Sequence, residues 1–497
     1  MIKRREFLKY SVRNSLALGT LSVMPARLLA SELPADLTEL SASALSTAIR
    51  QREASCVEVM QAYLSRIHRY NPVYNAIVSL VDDDELLAQA READRELDRG
   101  EYRGWMHGMP HAIKDVRPAA GLPFTSGSPM FADRIAEVDH PLAANIRADG
   151  AIFIGKTNVP EFGLGSQSYN PVFGATGSAW NPTLTSGGSS GGAASGLGTH
   201  MLPSADGSDT MGSLRNPAAF NNVIGFRPSI GVTVEDVPDN RSISTTGPMG
   251  RSTSDAIRLL QTLAISPVPE GYSPMNLQGI RIGWLGNLDG YLAMEDGVLE
   301  TCEASLASLS DAGAIVDAVQ PQFVLTDLWQ CWTTLRHSLR SSFRTYYDDP
   351  ELRPMLKPEL VWEIEQSMIL TDADREAARS IREDWNQELD RLFSEYDFLV
   401  LPSAQVFPFP KETHWPQEIA GRKMDTYHRW MEVVILGSLG GIPVLSVPAG
   451  FDSQDRPMGM QIMGRFGRDQ QVLEFGLAYE SVTDHLAQRP QLVSAVG

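Results

Sequence analysis

Two serines and one lysine are the residues of this sequence whose types and surroundings could do chemistry. Ser189 lies in the glycine-rich run 187–192, Ser213 lies in the run 207–215, and Lys114 ends an apolar segment about 75 residues before Ser189. A serine hydroxyl is a weak nucleophile until a base removes its proton. With a neutral lysine as that base, these residues predict a serine hydrolase that works without histidine, and we expect it to cleave an amide bond.

Lys114 can act as a base only if its amine is neutral near physiological pH. The ordinary pKa of lysine is about 10.4, so the pKa has to fall to about 7 to 8, at a cost of about 4 kcal/mol. Burial lowers the pKa of an amine, and Ala112 and Ile113 predict a core strand that carries Lys114 inward. Considered alone, the residue fits an ion pair with Asp115 or another acid better than it fits a catalytic base.

One segment matches the sequence pattern of a phosphate-binding loop but not the local structure that such a loop requires. Residues 150–157 fit G-x-x-x-x-G-K-[ST], but the four variable positions are Ala-Ile-Phe-Ile, which predict a strand. A P-loop needs a flexible turn that leads into a helix, and Pro160 disfavours that helix. We therefore do not expect nucleotide binding.

Residues 187–191 also fit G-x-S-x-G, the nucleophile elbow of α/β-hydrolases. That elbow needs a buried strand before the serine, whereas residues 181–186 predict a turn. The alternative function is an esterase with Ser189 as nucleophile and a histidine base. The candidate bases are His200, His337, His414, His428 and His485.

The elements that must position these residues alternate between helix and strand. Ser55-x-x-Glu58 is a capping-box pattern that predicts a helix start, and residues 109–113 and 151–155 predict buried strands. Alternation favours an α/β architecture, and no repeat or linker divides it, so we expect one large domain. Further helices are predicted at 84–98, 295–312, 323–347 and 373–396, with late strands at 398–401, 441–448 and 458–463.

Composition narrows the class of protein. The 497 residues are 43% hydrophobic and 21% charged, and the formal net charge is −19. An acidic chain should repel nucleic acid and anionic membranes. The cysteines at 56, 302 and 331 form no CxxC or Cys/His cluster, so no zinc site is predicted; one disulfide is possible if the protein is exported.

The N-terminus resembles a bacterial twin-arginine export signal. Arg4-Arg5 is followed by Phe7-Leu8-Lys9, an apolar segment at 15–24 and small residues around Ala26 and Ala30. We predict a signal peptide over residues 1–30, with residues 31–497 released to the periplasm. The apolar segment is too short for a membrane anchor.

A longer set of matches resembles the amidase signature family. The stretches include Gly-Met-Pro-His-Ala-Ile-Lys-Asp at 108–115, Gly-Lys-Thr-Asn-Val-Pro-Glu-Phe at 155–162 and the run 187–228, with further matches at 174–182, 441–450 and 457–461. They span roughly residues 36–485. The resemblance implies a single large α/β domain with a central mixed sheet flanked by helices on both faces. It also implies a core signature region at 108–250 and a variable pocket region at about 323–424.

The resemblance assigns roles to the reactive residues. Ser213 becomes the nucleophile, Ser189 a bridging serine after a cis peptide bond, and Lys114 the base; Ser190 is expected to add a hydrogen bond. The backbone N–H groups of four consecutive residues should form the oxyanion hole, and Asp209 and Arg215 should brace that turn. The four residues are Thr210, Met211, Gly212 and Ser213; glycine is usual at the second of these positions, and methionine should narrow the adjoining pocket.

The implied activity is hydrolysis of a small-molecule amide to a carboxylic acid plus ammonia or amine, through an acyl-enzyme on Ser213. It needs no metal or organic cofactor, and a homodimer is possible. A non-hydrolytic alternative within the family is an amidotransferase component that works on charged tRNA; the export signal and acidic charge disfavour it. Tryptophans at helical spacing in region 323–424 are more typical of core packing, but a few could line an apolar acyl pocket, which favours aryl or aliphatic amides over charged ones. They are Trp329, Trp332, Trp362, Trp385 and Trp415.

Overall fold

An eight-stranded mixed sheet forms the centre of the computed structural model, which describes residues 33–234 and 243–495. The chain divides into residues Met1–Ala35 and one compact unit, Asp36–Gly497. The predicted signal peptide lies outside the described residues. Helices surround the sheet, so the predicted α/β class and single large domain are confirmed.

Fifteen strands are present in the described residues. They are β1 Ile77–Val78, β2 Pro110–Lys114, β3 Ile152–Thr157, β4 Tyr169–Asn170, β5 Gly174–Ala175, β6 Ala205–Asp209, β7 Ile224–Arg227, β8 Thr245–Gly250, β9 Arg281–Trp284, β10 Ile315–Ala318, β11 Phe398–Pro402, β12 Glu418–Ile419, β13 Arg422–Lys423, β14 Val444–Phe451 and β15 Pro457–Met463. The central sheet has the order β10-β9-β11-β15-β14-β7-β8-β6. Its β10-β9-β11 end is parallel, and every other neighbouring pair is antiparallel.

Fourteen α-helices pack around the sheets in the same part of the chain. They are α1 Ala42–Gln51, α2 Cys56–Tyr74, α3 Asp83–Asp98, α4 Pro141–Ala148, α5 Gly191–Gly198, α6 Arg215–Asn221, α7 Thr253–Leu263, α8 Val298–Asp311, α9 Leu325–Ser338, α10 Arg344–Asp348, α11 Pro358–Ile369, α12 Asp372–Glu395, α13 Ile435–Gly440 and α14 Asp469–Val482. The capping box predicted at Ser55 and Glu58 is present, with both reciprocal hydrogen bonds, at the start of α2. None of the described helices is long and apolar enough to span a membrane.

A second, three-stranded sheet carries Lys114. Its order is β1-β3-β2, with β2 parallel and β1 antiparallel to β3. Lys156 lies inside β3, so the segment that matches the P-loop pattern is a buried strand, as predicted. The catalytic lysine candidate therefore belongs to a different sheet from the segment that leads to Ser213.

The prediction of one continuous helix over residues 323–347 is wrong in detail. α9 ends at Ser338, a 3-10 turn covers Leu339–Phe343, and α10 follows. Ser338 Oγ donates to the Thr334 carbonyl, and Ser341 and Ser342 make similar bonds to carbonyls three residues earlier. Such side-chain bonds compete with the regular helix ladder, which explains the break.

The three cysteines are all buried and unpaired. Cys302 lies in α8, Cys331 in α9 and Cys56 at the start of α2. The disulfide that export would have allowed is therefore not formed in this fold. Burial raises the pKa of each of the three thiols, so they are poor nucleophiles.

Candidate active site

β2 carries Lys114 into the interior. The side chain is 1% exposed, and its Nζ donates hydrogen bonds to Ser189 Oγ and Ser190 Oγ, both at 2.8 Å. Asp115, the ion-pair partner considered from the sequence, accepts from the Thr125 backbone N–H and lies 3.9 Å from Lys156 Nζ. The structure thus places Lys114 against hydroxyl groups.

Strand β6 supplies two further contacts that the sequence did not predict. Ser208 Oγ accepts from Lys114 Nζ at 3.0 Å, and Asp206 Oδ1 accepts from the Lys114 backbone N–H at 3.3 Å. His111 Nε2 lies 3.2 Å from the same carboxylate oxygen. Residues two apart on a strand share a face, so Asp206 and Ser208 both point toward β2. The alternation of side chains along β6 was the feature of the sequence that could have identified Ser208, but a strand with glycine and serine has too few apolar residues to show which face is buried.

Ser189 is held by a tightly packed loop in front of α5. The Gly188–Ser189 peptide bond is cis. A Cβ at Gly188 would lie 2.7 Å from the Gln167 backbone nitrogen, and one at Gly192 would lie 2.3 Å from the Asn158 nitrogen. Side chains at these glycines would force the loop and α5 away from their neighbours, so the glycines keep Ser189 close to Lys114.

The turn that carries Ser213 is braced by a buried ion cluster. Asp209 Oδ2 accepts from Arg215 Nε at 3.0 Å and from the Leu214 backbone N–H at 3.1 Å, and Arg227 Nη1 lies 3.3 Å from Oδ1. All three charged side chains are fully buried. Asp209 points to the opposite face of β6 from Ser208, which is consistent with a bracing role for Asp209 and Arg215.

One of the four predicted oxyanion donors is engaged inside this turn. The Gly212 backbone N–H donates to Asp209 Oδ1 at 2.9 Å. This N–H is therefore already used, which differs from its predicted role as a donor to the oxyanion. Within residues 33–234 and 243–495, no acceptor pairs with the N–H groups of Thr210, Met211 or Ser213. These three remain the candidates for binding a negatively charged oxygen.

Replacing Asp209 by asparagine should destabilise the fold. Asp209 is the carboxylate that pairs with buried Arg215 and also contacts buried Arg227, and breaking a buried pair costs about 3 to 5 kcal/mol of the free energy of unfolding. Urea unfolding at pH 7 measures this loss. Asp98→Asn is the control, since Asp98 forms an ion pair but its side chain is 70% exposed, and it should cost far less.

The same comparison predicts a pH dependence. Burial alone would raise the pKa of Asp209, but Arg215 and Arg227 lower it well below the usual carboxyl value. A depressed carboxyl pKa stabilises the fold above the unfolded pKa, about 3.9, and that contribution is lost as the pH falls. The difference between wild type and Asp209→Asn should therefore shrink below about pH 4; a constant difference would contradict the charged state of Asp209.

A cavity of about 360 Å³ opens beside the two serines. Met211 is 5% exposed and lines this cavity, so its side chain takes up part of the space next to Ser213. The other lining residues include Arg117, Phe162, Ser166, Ser189, Ser208, Thr210, Ser213, Arg336, Leu339, Arg340, Phe343, Tyr427 and His428.

The histidines do not supply a base to either serine. His428 is the candidate histidine that lines the cavity, and its Nε2 lies 2.8 Å from Glu363 Oε1. Burial lowers its pKa to about 4. Across the described ranges, no histidine hydrogen-bonds to Ser189 or Ser213, and the esterase alternative lacks the contact that it requires.

A buried amine bound to serine hydroxyls, beside a second serine at a cavity, is the arrangement of a lysine-dependent serine hydrolase. The protein-family model for Amidase matches residues 58–473, and the chain therefore belongs to the amidase family.

Relatives within the family differ in activity. The chain is 31% identical over 481 residues to a subunit of glutamyl-tRNA(Gln) amidotransferase from Thermosynechococcus vestitus, covering 89% of this chain and 98% of that protein. It is 30% identical over 477 residues to an acylamidase of Rhodococcus erythropolis, covering 91% and 97%. The solved structure of a bacterial aryl acylamidase of the amidase signature family matches with a TM-score of 0.82 at 25% identity, covering 91% of this chain and 99% of that one.

Proposed function

We propose that the protein hydrolyses the carbon–nitrogen bond of small-molecule amides through an acyl-enzyme on Ser213. The observation that supports this most directly is the 2.8 Å contact between Lys114 Nζ and the buried Ser189 Oγ, because Ser189 lines the same cavity as Ser213. A base, a relay hydroxyl and a second hydroxyl at a cavity are the parts that acyl transfer requires.

Acylation begins when Lys114 has lost one of its protons, so that its Nζ accepts a hydrogen bond from the Ser189 hydroxyl instead of donating to it. The lysine removes the Ser189 hydroxyl proton while Ser189 removes that of Ser213, and Ser213 Oγ attacks the substrate carbonyl carbon. The developing oxyanion is bound by backbone N–H groups among Thr210, Met211 and Ser213. Losing one such donor costs about 3 kcal/mol of transition-state stabilisation.

The intermediate then collapses. Ser189 gives its proton to the leaving nitrogen and regains one from Lys114, the carbon–nitrogen bond breaks, and the acyl group stays on Ser213. Water attacks this ester as its proton passes through Ser189 to Lys114. The second tetrahedral intermediate then expels Ser213 Oγ, which regains a proton from Lys114 through Ser189, so that the carboxylic acid is released and the lysine is again neutral. Microscopic reversibility lets one base serve both half-reactions.

The family alone does not decide between hydrolysis and tRNA-dependent amidotransfer, because relatives with both names match this chain. The net charge of −19 favours a small-molecule substrate, since a strongly acidic protein repels the tRNA backbone. The acylamidase relative and the aryl acylamidase structure support the same choice.

Product analysis on a panel of amides tests the proposal. We expect equimolar acid and amine from anilides such as 4-nitroacetanilide, or equimolar acid and ammonia from primary amides such as benzamide. A fluorophosphonate should label Ser213 in peptide mapping. Absence of turnover across a panel that also contains amides bearing a carboxylate would contradict hydrolysis, and labelling of Ser189 instead would favour the esterase mechanism.

We further propose export to the periplasm by the twin-arginine route. The support is Arg4-Arg5 and the small residues before Ala30. In cell fractionation, the wild-type chain should reach the periplasm and lose its first residues, whereas a chain with both arginines changed to lysine should stay in the cytoplasm. Equal distribution of the two chains would refute the signal.

A further inference from the structure

Part of the cavity wall is a buried ionic cluster far from Ser213 in sequence. We call Arg336, Arg340, Glu363, Tyr427 and His428 the arginine cluster. Two of its members come from α9 and the turn that follows, one from α11, and two from the segment before α13. Four of the five line the cavity, and the exception is Glu363, which is fully buried behind them.

Glu363 holds the cluster together. Arg336 Nε donates to Glu363 Oε1 at 3.0 Å and Oε2 at 3.2 Å, and His428 Nε2 is 2.8 Å from Oε1. The Tyr427 hydroxyl donates to the same oxygen. Arg340 Nε lies 2.6 Å from Oε2, although this N–H is not aligned as a hydrogen bond. One carboxylate is therefore saturated by its neighbours.

The cluster carries an excess positive charge. Burial would raise the pKa of Glu363, but Arg336 and Arg340 lower it well below its usual value, so the group is anionic. Burial lowers the pKa of His428 and of neighbouring His337 to about 4, so both are neutral at pH 7. Two guanidinium charges against one carboxylate leave a net charge of +1.

Nothing acidic in the described lining offsets that charge. No aspartate or glutamate among residues 33–234 and 243–495 lines the cavity. Arg340 has five N–H donors; its ion pair with Glu363 runs through Nε, and its terminal nitrogens make no hydrogen bond within these ranges. A guanidinium so placed favours a planar anion that it can bind through two hydrogen bonds.

We propose that Arg336 and Arg340 form a carboxylate-binding subsite, so that the substrates are amides that carry a carboxylate as well as the scissile bond. This inference rests on the proposed amide hydrolysis for its placement beside Ser213. It revises the expectation of uncharged amides, because the tryptophans of this region lie mainly in the core: Trp332 and Trp385 are fully buried. An anionic group balances the cluster, whereas a wholly apolar substrate leaves its charge buried and uncompensated.

Binding to the Ser213→Ala protein tests the subsite without turnover. The probes for calorimetry are succinanilic acid, with the carboxylate on the acyl side, 4-(butanoylamino)benzoate, with it on the amine side, and the neutral butyranilide. We expect one of the anions to bind about 10-fold to 100-fold more tightly than butyranilide, as charge-assisted hydrogen bonds predict. Which anion binds identifies the side of the amide that carries the charge.

Substitutions then assign the preference. Adding Arg340→Gln should reduce the ratio of anion to neutral affinity at least about tenfold, and Arg340→Lys should restore part of it. The control is Arg379→Gln, since Arg379 forms an ion pair with Glu376 on α12 and does not line the cavity. Thermal unfolding verifies that each variant is folded.

Two outcomes would overturn the subsite. They are equal affinity for all three probes, and an anion preference that persists in both Arg340→Gln and Arg336→Gln. Anion binding by Ser213→Ala combined with a wild-type enzyme that hydrolyses no amide would leave the subsite in place and refute the proposed function instead.

Discussion

Ser213→Ala is expected to lower kcat for amide hydrolysis by about 10⁴-fold or more. The change removes the atom that forms the acyl-enzyme, and removal of a nucleophile that acts with its base as a unit costs about as much as losing the whole set. The turn that carries Ser213 is held by Asp209, which accepts from the Leu214 backbone N–H. The substitution leaves that bond in place, so the fold should be unaffected. Steady-state rates and a thermal unfolding curve measure the two effects.

Ser394→Ala provides the matched control. Ser394 Oγ donates to the Arg391 carbonyl within α12, and the residue is exposed and does not line the cavity. Its loss should leave kcat within about threefold, as expected for a surface hydrogen bond. If Ser213→Ala retained more than a tenth of the activity while Ser189→Ala abolished it, Ser189 would be the nucleophile.

Lys114→Met is expected to lower kcat by about 10³-fold or more. A general base contributes about 10² to 10⁴ in rate, and here the same amine serves acylation and deacylation. Methionine keeps the length of the side chain but accepts no proton. Single-turnover kinetics should show that formation of the acyl-enzyme slows, and intact-mass measurement should find no acylated protein accumulating.

Lys156→Met is the control that distinguishes loss of a catalytic base from loss of a buried lysine. Lys156 is as buried as Lys114, lies on the adjacent strand β3, and donates to the Arg117 carbonyl. Burial lowers its pKa to about 8 against the opposing charge of Asp115. Its replacement should show mainly in the melting temperature, with kcat reduced much less. Equal losses of kcat in the two variants would contradict the role of Lys114 as the base.

The sequence could indicate the candidate reactive residues because they lie in short segments of distinctive composition. Ser189 and Ser190 stand between Gly188 and Gly191, Ser213 follows Gly212, and close contacts leave little room for side chains at these glycines. The strand before Lys114 is apolar except for His111. The structure brings these segments together through β2 and the loop before α5. Helix α12, at Asp372–Glu395, also matches its predicted bounds of 373–396 within one residue.

The sequence could not predict the arginine cluster. Glu363 reaches Arg336 across 27 residues and His428 across 65, and charged residues in an amphipathic helix are expected on its exposed face. Only the packing of α9 against α11 makes these positions interior. Ser208 was missed for a different reason: its strand contains too few apolar residues for the alternation to identify a face.

Lys114 and Ser208 lie in different sheets. The return of enzymatic activity during refolding should therefore report when these two sheets come together. The contacts of Lys114 with Ser189 and Ser208 join residues 75 and 94 positions apart. Closing loops of that length is slow relative to forming local helices. During refolding, helical signal should therefore return before activity, and the interval between them reports when the three-stranded sheet docks onto the eight-stranded one.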